Sequence, residues 1–181
     1  MNVTVELTDA ASEPAPVNLP RLREWVSYAL ERYSHHNPPV GGTPDREVLV
    51  SICLVSEAES ARLNDSYRAK NRPTNVLSFA TRLPDEVQSA MPAFLLGDLA
   101  ICTAVVNREA AAQGKQPEAH WAHMTVHGTL HLCGLDHETA EEAARMEGME
   151  IDVLTTLGYP DPYTVPDPAT TECDERSHTR S

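Results

Sequence analysis

The sequence predicts a single α+β (α/β) domain, a small sheet of about four strands packed with about five helices. Three observations carry this expectation. The chain has 181 residues, the length of one ordinary domain. Hydrophobic residues make up 41% of it, enough for one core, although 2 Phe, 2 Trp and 5 Tyr leave that core thin in rings. Along the chain, apolar segments switch between the period of two that marks a strand and the period of 3.6 that marks a helix.

Val3, Val5 and Leu7 alternate with polar residues and predict a first strand with one buried face. A proline-containing loop leads to Asn18, which caps a helix whose stripe is Leu22, Trp25, Val26, Ala29, Leu30 and Tyr33. After a Pro- and Gly-rich loop, Val48 to Val55 is almost wholly apolar, as expected of a strand covered on both faces. Ser56 and Glu59 form a capping-box pattern for a helix running to about Tyr67. Val76 to Phe79 predicts a short strand, followed by a loop to Pro92, and Leu99 to Cys102 a fourth strand entered through Gly97 and Asp98. A helix from about Thr103 stops at Gly114, and Pro117 opens the next, which ends before Gly134. Thr139 and Glu142 cap a last helix carrying Met146, Met149, Val153, Leu154 and Leu157 on one face, with Gly158 as its stop. These elements make residues 1–163 one domain. Residues 164–181, with almost no apolar periodicity, predict a disordered acidic tail. No repeat is visible, and periodicity alone does not order the strands.

Fourteen basic against 27 acidic residues give a net charge of −13, which argues against broad, non-specific adhesion to nucleic acid. The charge is uneven. Arg62, Arg68, Lys70 and Arg72 face only Asp65 in their stretch, a local +3, whereas Asp136 to Asp152 carries −6. Cys53, Cys102, Cys133 and Cys173 form no C-x-x-C pair, so neither a zinc knuckle nor a thioredoxin-type motif is available. Isolated thiols among apolar neighbours read as reduced residues of a cytoplasmic protein. No apolar run reaches membrane-spanning length, and the first residues lack the pattern of a signal peptide, so no membrane is expected.

The densest chemistry lies between His127 and His137. His127 and His131 are four residues apart, so their imidazoles differ by roughly 40° around a helix axis and point the same way. Gly134 lets the chain turn, and His137 returns from the loop to the same point. Three neutral imidazoles with one open position suit a catalytic zinc ion, one per chain, although Ni, Cu and Fe also accept such nitrogen ligands. Cys133 points to another helix face. His120 and His123 precede the motif on the same helix and are expected to pack or to support the ligands. The spacing H-x-x-x-H-x-x-G-x-x-H is also that of metzincin peptidases, but Gly128 stands where they carry the general-base glutamate. The ligand frame fits a peptidase and the chemistry does not.

The second dense stretch runs from Leu63 to Phe79 and carries the basic island, then Pro73-Thr74-Asn75, then a strand. The arginine fork suits a phosphodiester, because it holds two phosphate oxygens and stabilises charge gained in a transition state. A solvated helix end explains Lys70 and Arg72 equally well. Sequence physics alone does not decide for Arg68.

These stretches together resemble the YbeY-type endoribonucleases, bacterial rRNA maturation factors. The resemblance rests on Leu63-Asn64 through Tyr67-Arg68-x-Lys70, on Pro73 to Phe79, on Leu96 to Cys102, on Ala119 to Met124 running into His127 to His137, and on Leu157 to Tyr163. It covers roughly Val48 to Tyr163 in order. It implies a single-strand-directed, metal-dependent RNase acting in small-subunit rRNA 3′-end maturation and ribosome quality control. It implies zinc on His127, His131 and His137, and Arg68 as the catalytic arginine. It further implies single-stranded rRNA and ribosome or small-subunit assembly proteins as partners, with no DNA. Asn71 departs from the aspartate usual after the family's lysine, and the tail is longer. Two other classes stay open: a zinc peptidase of metzincin-like spacing, and a ribosome-assembly binding module whose metal only holds the fold.

Overall fold

The computed structural model describes residues 1–164, so all but the first residue of the expected tail lies outside the described residues. The alternating segment forms β1 (Val3–Asp9), with Val3 and Val5 buried. Asn18 accepts from the Arg21 N–H and starts α1 (Leu19–His36), which buries Leu22, Trp25, Val26, Ala29 and Leu30 as its stripe predicts. The apolar run becomes β2 (Val48–Val55), and Ser56 caps α2 (Glu57–Arg68) through the Glu59 N–H. Next come β3 (Val76–Ala80), a short α3 (Asp85–Ala90) and β4 (Phe94–Cys102). Three helices finish the fold: α4 (Thr103–Ala112), α5 (Pro117–Leu132) and α6 (Ala140–Thr156), the last opened by the full Thr139–Glu142 capping box. No helix among the described residues is long and apolar enough to cross a membrane.

The strands make one mixed sheet in the order β1-β2-β4-β3. β1 and β4 each run parallel to β2, with Val3 opposite Val48 and Leu99 opposite Ile52. β3 pairs antiparallel with β4, Ser78 opposite Leu99, and forms one edge. Both faces are covered. Val50, Ile52, Leu99 and Ile101 join the main core with Trp25 and Leu30 of α1, Val126 and Leu130 of α5, and Met146 and Leu154 of α6. On the other face Val55, Leu77, Ala100 and Cys102 meet Val105 of α4 and Leu63 of α2. Successive residues of β3 therefore serve opposite layers, the consequence of a two-residue side-chain period.

α5 is the central helix and is buried on nearly every side. It lies so close to the sheet that a Cβ at Gly128 would sit 3.0 Å from Leu99 Cδ2 and Val76 Cγ2. Glycine makes that approach possible, and the Ser78 hydroxyl fixes it by donating to the Gly128 carbonyl at 2.9 Å.

Two elements differ from the sequence expectation. α3 replaces part of a predicted loop, and its Val87 is 47% exposed, so no apolar stripe announces it. It is tied instead by buried Gln88, whose amide donates to the Leu95 carbonyl at 2.8 Å, and by Arg46, which donates to the Gln88 carbonyl. β4 begins at Phe94 rather than Leu99, because the pairing with β2 shifts register between Leu49 and Val50 and carries the strand past Gly97.

Candidate functional site

α5 delivers His127 and His131 on one face, and Gly134, at φ +92°, turns the chain so that exposed His137 returns to them. The Nε2 atoms of His127 and His131 lie 3.1 Å apart. One ligand atom from each of the three histidines lies within 4.8 Å of the others. Two nitrogens bound at about 2.0–2.1 Å to one tetrahedral ion sit about 3.3 Å apart, so the donor set fits a metal ion. Burial, then the neighbouring His127 and His137, push His131 down to about 4. At neutral pH its lone pair is therefore free, as a ligand requires.

His127 is oriented by a residue the sequence reading did not single out. Glu150 of α6 is fully buried and accepts from His127 Nδ1 at 2.5 Å and from His123 Nε2 at 3.1 Å. Tyr163 donates its hydroxyl to the same carboxylate. Burial alone would raise the Glu150 carboxyl, but the bonds and charge from His123 and His127 outweigh it and hold it at about 2. A proton on His127 Nδ1 leaves Nε2 bare and facing His131, the usual way an outer carboxylate sets a ligand's tautomer. Donor atoms from His123, His127 and Glu150, one from each, also lie within 4.8 Å of one another. Their direct N–H···O bonds account for that closeness, and the ion-sized convergence belongs to the other nitrogen of His127. A signal for Glu150 was present in the sequence: it occupies the apolar stripe of α6, four residues after Met146 and four before Leu154.

The remaining candidates separate cleanly. His120 is buried and bonds Glu109 at 2.9 Å, and Glu109 also accepts from the Asn75 amide, tying α4, α5 and the entry to β3 together. His120 and His123 thus pack and support. Burial pushes the Cys133 thiol up to about 12, so it offers no thiolate. Position 128 is pressed on the sheet, 3.3 Å from Ser78 Oγ by its notional Cβ, and has no room for a glutamate.

Arg68 is the last residue of α2, exposed, followed by Ala69 in the left-handed conformation at φ 53°. The basic loop after it is pinned from beneath. The Asn64 amide donates to the Arg72 carbonyl at 2.8 Å, and Ser60 Oγ both donates to the Thr74 carbonyl and accepts its N–H, each at 2.9 Å. Arg68 lies on a groove of about 500 Å³ with Tyr67, Leu77, Ser78, Phe79 and Arg82. No histidine lines that groove, and the Arg68 side chain forms no hydrogen bond or ion pair with another described residue. The fold therefore gathers the three histidines directly and sets Arg68 on a neighbouring surface. Ser78 joins the two, since it lines the groove and bonds the carbonyl next to His127.

A family model described as Endoribonuclease YbeY matches residues 8–158. A Pseudomonas fluorescens protein named Endoribonuclease YbeY is 46% identical over 159 residues, covering 88% of this chain and 95% of that one. A Pseudomonas putida protein of the same name is 51% identical over 142 residues, 78% of this chain and 82% of that one. Among solved structures, a Thermotoga maritima protein determined in solution is 22% identical, with a TM-score of 0.46, covering 89% of this chain and 99% of that one.

Proposed function

The chain belongs to the Endoribonuclease YbeY family, and from that membership we propose that it is a metal-dependent endoribonuclease that cuts single-stranded RNA. The substrate on this reading is small-subunit rRNA at its 3′ end, and the setting is ribosome maturation and quality control in the cytoplasm, alongside ribosome or small-subunit assembly proteins. The observation that carries it is the 3.1 Å convergence of His127 and His131, with His137 beside them, on a strand-supported helix next to a basic groove.

His127, His131 and His137 would hold one zinc ion. Bound there, zinc supplies Lewis acidity toward a phosphoryl oxygen or a water of lowered pKa. Glu150 keeps the His127 proton on Nδ1 and so keeps its Nε2 available. Arg68 presents its fork to the phosphodiester and stabilises the charge that grows on its oxygens. Gly128 carries no base, so peptide hydrolysis of the metzincin kind has no proton acceptor at that position.

The test is cleavage of a defined single-stranded RNA by protein purified free of contaminating RNases, with metal-stripped protein and His131→Ala as controls. Cleavage by the native protein and its loss in both controls is the expected result. RNA binding without cleavage would replace the enzyme with a binding module, and casein cleavage lost in His131→Ala would restore the peptidase.

A further inference from the structure

Tyr67 is 68% exposed, the most exposed large hydrophobic side chain among the described residues, in a chain whose two tryptophans are fully buried. A lone exposed ring is ordinary. This one is held: its centroid lies 4.6 Å from that of Phe79, at an interplanar angle of 55°. Both rings line the groove that also holds Arg68 and Arg82. Arg62, six residues before Arg68 on α2, is committed to Glu59 at 2.6 Å, whereas Arg68 and Arg82 form no ion pair with another described residue. Two uncommitted guanidinium groups therefore flank a braced aromatic surface, in a molecule of net charge −13.

We infer that Tyr67, braced on Phe79, is a stacking platform for one unpaired base of the RNA, with Arg82 gripping a phosphate beside it. The inference rests on the endoribonuclease reading and adds to it the origin of single-strand selectivity. Single strands bind proteins by laying bases on aromatic faces while cations follow the backbone. A duplex hides the same faces in its own stack, so the platform rejects it. A groove of about 500 Å³ has the size of a pocket for one small organic group. Bracing against Phe79 spares the ring much of the rotamer freedom it would otherwise lose on binding. Phe79, on which Tyr67 is braced, follows Ser78 on β3, and the Ser78 hydroxyl bonds the Gly128 carbonyl, so the platform and the histidine helix share one edge strand.

The experiment uses the full chain with its metal and a defined single-stranded oligoribonucleotide, together with copies in which one nucleotide at a time is made abasic. Tyr67→Ala and Tyr67→Leu should raise KM about five- to one-hundred-fold, the range for losing one stacked base, while Tyr67→Phe and Tyr67→Trp stay within about threefold of native. One abasic position should harm the native enzyme by a similar factor and leave Tyr67→Leu unaffected. Arg82→Gln should raise KM and flatten its salt dependence. An unchanged KM in Tyr67→Leu, or the same abasic loss in native and variant, overturns the platform and leaves the endoribonuclease reading intact. Failure of the native protein to cleave any RNA overturns both.

Discussion

A buried acid meeting two imidazoles is the feature on which the candidate metal site turns at the scale of single residues. Glu150 accepts from His123, His127 and Tyr163 with two oxygens, so replacing it leaves buried His123 and half-buried His127 without a partner. Glu150→Gln keeps the volume but pits amide protons against the imidazole N–H. It should lower metal affinity about 10–100-fold, measured by competition with a chelator. Glu150→Ala should also cost about 2–5 kcal/mol of stability by denaturant unfolding, since each orphaned donor carries its own penalty. Arg68 poses a different question, because nothing described holds it. If it acts through its fork in the transition state, Arg68→Lys should be nearly as slow as Arg68→Ala in single-turnover cleavage, by about 10²–10³. If it only attracts the strand, lysine should serve with modest loss, and a rate within about threefold of native would remove the arginine from the mechanism.

At the scale of elements, the contact between α5 and the sheet decides where the histidines stand. Gly128 permits that contact, and a methyl group there must displace Leu99, Val76 or the Ser78 hydroxyl. Overpacking of this kind costs about 1–3 kcal/mol, against about 1 kcal/mol that alanine regains in helix propensity. Gly128→Ala should therefore be neutral to mildly destabilising in thermal unfolding. Gly128→Glu should be strongly destabilising and should confer no peptidase activity. The basic loop depends on α2 in the same way. Asn64 is 2% exposed and its amide holds the Arg72 carbonyl, so Asn64→Ala should cost about 1–2 kcal/mol. It should also speed amide exchange in residues 69–75, with the rest of α2 unchanged.

Charge acts on the molecule as a whole, and a metal held by the three histidines would do the same. With a net charge of −13, the body of the protein repels a polyanion, and Arg68, Lys70, Arg72 and Arg82 offer a local patch of attraction against it. The three candidate ligands come from α5 and the loop beyond Gly134, while their support comes from α6 and from Tyr163, near the end of the described chain. A metal bound there ties these segments together and should stabilise the entire fold. Zinc at 100 times its dissociation constant adds about 2.7 kcal/mol, which for a chain of this length raises Tm by about 5–10 °C. Metal-stripped protein should regain that increment on titration, and elemental analysis should find about one ion per chain. The joint substitution of His127 and His131 by alanine should abolish both effects, and stoichiometric metal surviving it would sink the ligand assignment.

Local patterns were enough to read the four strands, the five longer helices and the helical histidine pair, because caps, apolar stripes and i, i+4 spacing act over a few residues. The Thr139–Glu142 box and the stop at Gly134 are of this kind. The short helix α3 was not legible, since Gln88 and Arg46 hold it through groups outside its own segment. Glu150 stood out only as an acid in an apolar stripe. Its histidine partners lie 23 and 27 residues away and were chosen by how α6 packs on α5. Strand order is of the same non-local kind: β4 inserts between β2 and β3, and that insertion brings Ser78 under Gly128 and sets the groove of Arg68 along the same edge strand. The sequence by itself determined the strands, the longer helices and the candidate histidine ligands, because those signals are short-ranged. Only the tertiary structure decided which of them meet, because burial of both sheet faces selects one packing from the many that the same elements allow.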